Sequence, residues 1–536
     1  MEIISKAEDI TNLPQTLPPL LRRIYANRGI KDAQSIEKKL TQLLPFHALS
    51  NINQAAELIF KHMQAQNRIL IIGDFDADGA TSTALAMQAL QDFGAKQVDF
   101  LVPNRFEYGY GLTPEIVEEA HKSKQPHLII TVDNGIANLS GVERAKQYGI
   151  DVLITDHHLP AAELPKADVI VNPNQPGDQF NSKNLAGVGV IFYVMLAVRQ
   201  HLRTLNWFEQ QKLAEPNMAD YLDLVALGTI ADVVPLDHNN RILVHQGLGR
   251  MRHAKIRPGI RALAQVAQKR LEKLTSRDLG FALGPRLNAA GRLEDMTIGI
   301  QCLLAKDETT ALQLAQKLQA LNVERREIEA KMQNDVTKIM ENLHLNQTHI
   351  PASLCFYEKT WHQGVIGILA SRIKERYHRP VIAFAQADTD TLKGSGRSIR
   401  GLHLRDVLDL VSKQAPNLII KFGGHAMAAG LTIRRENFQT FAKAFNQVIQ
   451  QHVDKDVLQQ RIFTDGELTP EEISLPLAKL IANLEPWGQG FPEPQFIGEF
   501  AIIEQRLLAG KHMRFSLKMT GANKIIPAVL FNADLN

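Results

Sequence analysis

Six acidic side chains and two histidines stand where apolar runs end. Asp74, Asp76 and Asp78 follow RILII, Asp133 follows HLIITV, Asp156, His157 and His158 follow DVLIT, and Asp232 closes LVALGTIA. A carboxylate buried without a counter-charge is strongly unfavourable, so acids in these places need a cation. A pair of divalent ions would satisfy all of them together. Carboxylate and imidazole donors suit Mn2+ or Mg2+ better than a structural zinc site, where thiolates would be expected. Two such ions support phosphoester hydrolysis, in which a water loses a proton and attacks phosphorus. A single Asp at a strand end is more often a turn former or helix cap, and Asp156 fits that description. Turn chemistry does not account for paired histidines after an apolar strand.

The alternation of Asp74, Asp76 and Asp78 before Gly79 imitates the opening of a calcium EF-hand loop. The twelfth position from Asp74 is Leu85, where that loop needs a bidentate Glu, and the preceding run is β-branched rather than helical. The EF-hand is excluded, and the acids must be gathered from distant parts of the chain. Apolar runs predict strands at 68–73, 98–102, 128–132, 152–155 and 169–171, with helices near 80–93, 114–123 and 139–148 between them. This alternation is the pattern of a parallel α/β sheet, whose ligands collect at the carboxyl ends of the strands.

A mostly helical stretch follows, 186–345. Apolar residues at Leu314, Leu318, Leu321, Ile328, Met332, Val336 and Leu343 predict one long helix bridging two domains, the alternative being two helices broken near Asn322. A second α/β region has strands in SLCFY and PVIAF around a helix opened by WHQGVIGILASRI. Two glycine-rich loops are then expected, GSGRS and FGGHAMAAG, whose amides could approach a phosphate and whose Arg397 could add a charged contact. EFAIIEQRLL, MRFSLKMT and KIIPAVLF predict a small β-barrel that the end of the sequence cuts short. The division expected is 1–50, a helical segment without readable chemistry; 51–305; a connecting helix 306–345; 346–455; and 456–536.

With 536 residues the chain is too long for one core. A net charge of +3 is close to neutral for this size, so any polyanion site must be local. Cys302 and Cys355 are spaced for neither a metal nor a disulfide framework. With no apparent signal peptide or membrane span, a cytoplasmic protein is expected.

Ten segments, in order, resemble the DHH phosphoesterases, a family named for the triplet found here as Asp156, His157 and His158: GDFDADGATS, PNRFEYGYGL, TVDNG, TDHH, NPN, GTIADVVPL, GPRLNAAGRL, WHQGVIGILASRI, GSGRS and FGGHAMAAG. Within that family the chain is similar to the bacterial exonucleases specific for single strands. The resemblance implies an α/β fold: a parallel-sheet DHH catalytic domain, a long connecting helix, a second α/β, DHH-associated domain across a groove, and a C-terminal OB-like β-barrel. It implies two Mn2+ or Mg2+ ions on Asp76, Asp78, Asp133, His157 and Asp232, with Asp133 bridging, Asp74 binding directly or through water, and His158 facing the scissile phosphate. Arg105, Ser395 and Arg397 would receive a 5′-phosphate. Tyr110, Arg286, Asn288, Arg292, Ser398, Gly424 and His425 would add substrate contacts, and Phe106, Tyr108, Tyr110 and Trp361 could stack on bases. The implied activity is 5′→3′ hydrolysis of single-stranded DNA to mononucleotides in repair and recombination, by a monomer working with a helicase and a single-strand-binding protein. Two rivals stand beside it: a DHH phosphodiesterase for short oligonucleotides or cyclic dinucleotides, and a non-catalytic strand-binding scaffold.

Overall fold

A computed structural model of the chain describes residues 2–6, 8–104, 111–253, 256–342, 350–521, 524–531 and 533. After a short N-terminal strand, β1 (Glu2–Ser5), the first large unit is a sheet of β2 (Ile69–Gly73), β3 (Val98–Leu101), β4 (Leu128–Val132), β5 (Asp151–Thr155) and β6 (Val169–Val171). All five are parallel, in the order β3-β2-β4-β5-β6. β2 and β4 are buried at every position, which explains their unbroken apolar character. Ile69, Ile71, Leu128, Ile130 and Leu153 pack with the helices Ile52–Gln64, Ala77–Asp92 and Gly187–Thr204. The alternate residues Leu70, Ile72, Ile129, Val152 and Ile154 pack with Pro114–Ser123 and Leu139–Gln147.

Strand order reverses between β2 and β4. In doubly wound sheets the crevice at such a reversal is where ligands bind, and the acids after both strands open onto it. The helix after β2 starts at Ala77, three residues before the predicted 80. Asp76 caps it, accepting hydrogen bonds from the amides of Asp78 and Gly79 at 2.9 and 3.0 Å. Asp78 therefore lies in the first helical turn, where the helix dipole favours negative charge.

One helix runs unbroken from Glu308 to Asn342, through Asn322. Ala311, Ala315 and Leu318 join the first unit's core, whereas Met332, Val336 and Met340 join a core of the second. That second unit is the sheet of β7 (Leu354–Tyr357), β8 (Val381–Gln386), β9 (Thr391–Arg397), β10 (Lys421–Gly424) and β11 (Ala428–Arg434), ordered β10-β11-β9-β8-β7. Only the β7–β8 pair is parallel.

The expected glycine-rich loops prove to be strands. GSGR is the end of β9, paired on both sides, and FGGHAMAAG is the β10–β11 hairpin. Gly394 and Gly396 are small because the inward face of β9 meets Phe384, Leu431 and Leu404; a Cβ at either position would lie 2.6 to 2.7 Å from those side chains. With both edges of β9 laddered, its backbone amides are taken, and the side chains on its other face are Ser395 and Arg397.

β12 (Arg461–Thr464) pairs in parallel with β1. The N-terminal segment clasps this region: the Arg28 guanidinium forms a bidentate pair with Asp465 at 2.9 and 3.0 Å, and Asn27 donates to the same carboxylate at 2.9 Å. Leu20, Leu21 and Ile24 share the first unit's core, as do Trp487 and Phe491 from the C-terminal region. β13 (Phe500–Leu508), β14 (His512–Met519) and β15 (Ile525–Leu530) form an antiparallel sheet in that order. No helix among the described residues is long and apolar enough to cross a membrane.

Candidate metal centre and facing phosphate pocket

The acids that are scattered in sequence meet at the carboxyl ends of β2, β4 and β5 and the end of the buried helix Leu222–Ala231. Three groups have donor atoms mutually within 4.8 Å: Asp74, Asp76 and Asp133; Asp78, His157 and Asp232; and Asp133, His157 and His158. His157 joins the groups, its Nε2 lying 3.1 Å from Asp133 Oδ1 and 3.5 Å from Asp232 Oδ2.

Each acid is positioned by backbone. Asp78 is fully buried, and its two oxygens accept the amides of Gly187 at 2.6 Å and Val188 at 3.0 Å, at the start of the helix Gly187–Thr204. Asp133 takes a positive φ of 63° directly after β4. A Cβ on Gly187 would lie 2.5 Å from the Asp133 Cβ, so only glycine lets this helix approach. Val233, next to Asp232, has φ 64°, a strained conformation for a β-branched residue. Asn134 ties the ends of β2 and β4 together by donating to the carbonyls of Ile72 at 3.1 Å and Val132 at 2.9 Å.

The two histidines differ in charge. Burial holds the His157 imidazole below its ordinary pKa, the Asp232 charge opposing, so it is neutral and able to ligate a metal. Burial also works against a charge on His158, but the hydrogen bond from its Nδ1 to Asp156 at 2.8 Å, with the charges of Asp156, Asp232 and Asp74, raises it to about 9. Asp156, read as a cap, is a hub. It accepts the amides of His157, His158 and Ile136, and His158 holds its carboxyl low despite burial.

The NPN segment supplies supports that sequence reasoning left without a role: Asn172 donates to the His158 carbonyl at 2.9 Å and Asn174 to the His157 carbonyl at 2.7 Å. The paired amides flanking Pro173 after a buried strand were the available signal.

These residues fit divalent metal. Burial and mutual repulsion push Asp78 and Asp133 far above the usual carboxylate range, and burial raises Asp232 also. Protein groups alone thus leave the cluster short of positive charge. His157 Nε2 and Asp232 Oδ2 are buried with no hydrogen-bond partner among the described residues. A hard-donor set with an imidazole is what Mn2+ or Mg2+ takes.

The second unit faces this cluster. The His425 ring stacks 6.2 Å from that of His158, and the β10–β11 hairpin carrying it pairs with β9. On β9, Arg397 Nη1 donates to Ser395 Oγ at 3.1 Å. Both side chains abut the first turn of the helix Ile366–Tyr377, where a Cβ on Gly367 would lie 2.9 Å from Ser395 Oγ and Arg397 Nη2. A helix start beside a guanidinium and a hydroxyl is suited to a phosphate.

Other residues from the sequence fall elsewhere. Ser398 is fully buried with its hydroxyl on the Leu402 carbonyl at 2.8 Å, so it braces the chain rather than touching substrate. Trp361 is core, its Nε1 donating to Asp335 at 3.2 Å, and cannot stack on a base. Arg286 is buried with Nη1 on the Ala282 carbonyl, Asn288 accepts the Ala77 amide at 2.8 Å, and Arg292 donates to the Gly364 carbonyl at 3.1 Å. Gly424 has φ 140° at the hairpin beside His425. Arg105, Phe106, Tyr108 and Tyr110 lie outside the described residues.

A parallel sheet with acids and histidines at its switch point, facing a second α/β unit, defines a DHH-type protein. The profile of the DHH family, N-terminal domain, matches residues 68–229, and that of the DHHA1 domain residues 348–451. A third, the RecJ OB domain, matches 464–536. The single-stranded-DNA-specific exonuclease RecJ of Escherichia coli (strain K12) is 50% identical over 529 residues, covering 99% of this chain and 92% of its own. That of Haemophilus influenzae is 52% identical, covering 96% and 90%. The chain belongs to the RecJ family. The crystal structure of RecJ from Thermus thermophilus in complex with Mn2+ superposes with a TM-score of 0.79 at 28% identity, covering all of this chain and 74% of that one. Its complex with Mg2+ gives 0.73 at 26%, covering all of this chain and 73% of that one.

Proposed function

We propose that this protein is a Mn2+- or Mg2+-dependent exonuclease that degrades single-stranded DNA from the 5′ end, releasing 5′-mononucleotides. One observation carries the reading: Asp74, Asp76, Asp78, Asp133, His157 and Asp232 gather their donor atoms in one buried to half-buried cluster, and the second unit, which carries Ser395 and Arg397 at a helix start, faces it through His425. Asp74, Asp76 and Asp133 would hold one ion and Asp78, His157 and Asp232 the other. Such ions supply a water acidic enough to lose its proton near neutral pH, and neutralise phosphate charge. His158, kept cationic by Asp156, is placed to donate a hydrogen bond to a phosphate oxygen. Ser395 and Arg397, with Arg105, would bind the 5′-phosphate and so set polarity. His425 and Gly424 would lie along the strand's path, while Arg286, Asn288 and Arg292, bonded to backbone, would brace it from behind.

With the two units meeting where the His158 and His425 rings stand 6.2 Å apart, a groove between them would suit one strand and exclude a duplex by shape, without base contacts. The units proposed are 1–50, 51–305 (catalytic), 306–345 (connecting), 346–455 (DHH-associated) and 456–536 (OB-like). The setting proposed is cytoplasmic DNA repair and recombination, as a monomer supplied with strands by a helicase and a single-strand-binding protein.

The test presents a long 5′-phosphorylated single strand, its duplex and a dinucleotide side by side with Mn2+. Mononucleotides released from the single strand are expected. Asp133→Ala should abolish cleavage and retain strand binding. Preference for the dinucleotide would overturn the reading, as would strand binding by the wild type without metal-dependent hydrolysis.

A further inference from the structure

Between the metal cluster and the phosphate pocket runs a train of contacts through the helix Gly284–Leu293. Asn288 Oδ1 accepts the amide of Ala77, the residue between Asp76 and Asp78, at 2.8 Å. One turn on, a Cβ on Gly291 would overlap the Phe75 carbonyl oxygen, so helix and loop touch backbone to backbone. The next residue, Arg292, meets the second unit twice. Its Nη1 donates to the Gly364 carbonyl at 3.1 Å, and a Cβ on Gly364 would overlap the Arg292 carbonyl oxygen. Three residues further, Gly367 lies against Ser395 and Arg397.

Two of these joints, at Gly291 and Gly364, are made where a glycine admits a backbone carbonyl too close for any side chain, and at the third Gly367 meets the ends of the Ser395 and Arg397 side chains. The two backbone joints contain no rotatable side chain, and close-packed contacts of this kind transmit displacement rather than absorb it. Among the described residues, the facing units also meet where the His158 ring stacks on that of His425, 6.2 Å away. The helix Gly284–Leu293, beside the long helix Glu308–Asn342 that joins both cores, therefore helps to fix the separation between the acid cluster and the Ser395–Arg397 pair.

We propose that the helix Gly284–Leu293 is the spacer that determines which phosphodiester, counted from a bound 5′ end, reaches the metal cluster, with Asn288 a positioning residue for Asp76 and Asp78. The inference rests on the function proposed above. A 5′-phosphate held at one end and hydrolysis at the other yield a product whose length is the spacing of the two sites. Lengthening that spacing lets a second nucleotide in before cleavage.

Two variants test the spacer. Gly364→Ala pushes the second unit off the Arg292 carbonyl; dinucleotide is expected to appear among the first products from 5′-phosphorylated single-stranded DNA, with KM changed less than twofold. Asn288→Leu removes the acceptor for Ala77 at similar size. It should weaken Mn2+ binding, measured by calorimetry on the protein without DNA, by roughly tenfold, the worth of about one hydrogen bond. Asn288→Asp keeps an acceptor oxygen and should restore most of that affinity. Folding is checked by thermal melting, and if Gly364→Ala does not fold the Asn288 pair decides. Mononucleotide as the sole product of a folded Gly364→Ala, or unchanged Mn2+ affinity in Asn288→Leu, would overturn the proposal. A wild type that releases no mononucleotides would instead overturn the functional reading beneath it.

Discussion

Gly187→Ala is the smallest change that should disable the metal cluster without touching a ligand. The added Cβ would lie 2.5 Å from the Asp133 Cβ and 2.8 Å from Asp133 Oδ1, inside the 3.4 to 4 Å of ordinary contact. Something must yield by roughly 1 Å, the scale at which misplacement costs about a hundredfold in rate. Asp133 cannot swing away cheaply, being held after β4 at φ 63° with its amide on the Thr155 carbonyl at 3.1 Å. If the helix retreats instead, the amides of Gly187 and Val188 leave Asp78, a fully buried carboxylate. Both routes disturb the centre, one through each proposed ion. We expect kcat on single-stranded DNA to fall about 100-fold, with an overpacking cost of about 1–3 kcal/mol in stability.

The assay pairs steady-state release of mononucleotides with calorimetric Mn2+ titration and a melting curve. Loss of activity with weaker Mn2+ binding in a folded protein is the expected pattern. Wild-type turnover and wild-type Mn2+ affinity in Gly187→Ala would refute the assignment of Asp133 and Asp78 to the metal centre.

Two further outcomes follow from contacts outside the ligand set. Arg397→Ala should reduce the preference for a 5′-phosphate over a 5′-hydroxyl strand by roughly 10- to 100-fold, the worth of a charged hydrogen bond; an unchanged ratio removes Arg397 from the pocket. Asp465→Ala leaves the buried Arg28 guanidinium with the Ile24 and Pro492 carbonyls but no counter-charge and should cost about 3–5 kcal/mol, seen as a lowered Tm. Burial opposes charge on Asp465, yet the Arg28 and Asn27 hydrogen bonds hold its carboxyl below the usual range. With the folded value below the unfolded, its stabilisation is complete above about pH 4 and is lost as pH falls through the lower folded value. Wild type and Asp465→Ala should therefore converge in Tm in strong acid, and a constant difference would contradict the pairing.

The metal cluster was legible because it violates an energetic rule that sequence displays directly: acids do not end apolar runs for nothing. Their spacing follows the β-α repeat, so the sheet edge could be deduced with them. The supports were not legible. Asp156 was recognised as a cap, but that its carboxylate also accepts from Ile136, beyond β4, depends on loop closure. The carbonyls taken by Asn172 and Asn174 are backbone groups that every residue has. Glycine misled in the second unit. Gly394 and Gly396 suggested a loop, whereas their period of two, alternating with Ser395 and Arg397, is a strand with one face pressed on Phe384 and Leu404. Trp361 could stack on a base by its type alone, whereas the core that includes Met332 and Val336 of the long helix covers it.

The same distinction separates what each site is from how far apart the sites stand. The identity of the metal centre lies in residue types, and so in the sequence; its distance from the phosphate pocket lies in contacts of Gly291 and Gly364 with carbonyl oxygens, which have no type to read. On the spacer proposal, a change that preserves every acid, His157 and Arg397 should still shift the cleavage point through Gly364. A chain that has lost Asp133 can still hold its strand at the correct spacing. If the spacer proposal holds, product length and catalytic rate are separable properties of this fold, the first set through the helix Gly284–Leu293 and the second at the carboxyl ends of β2, β4 and β5.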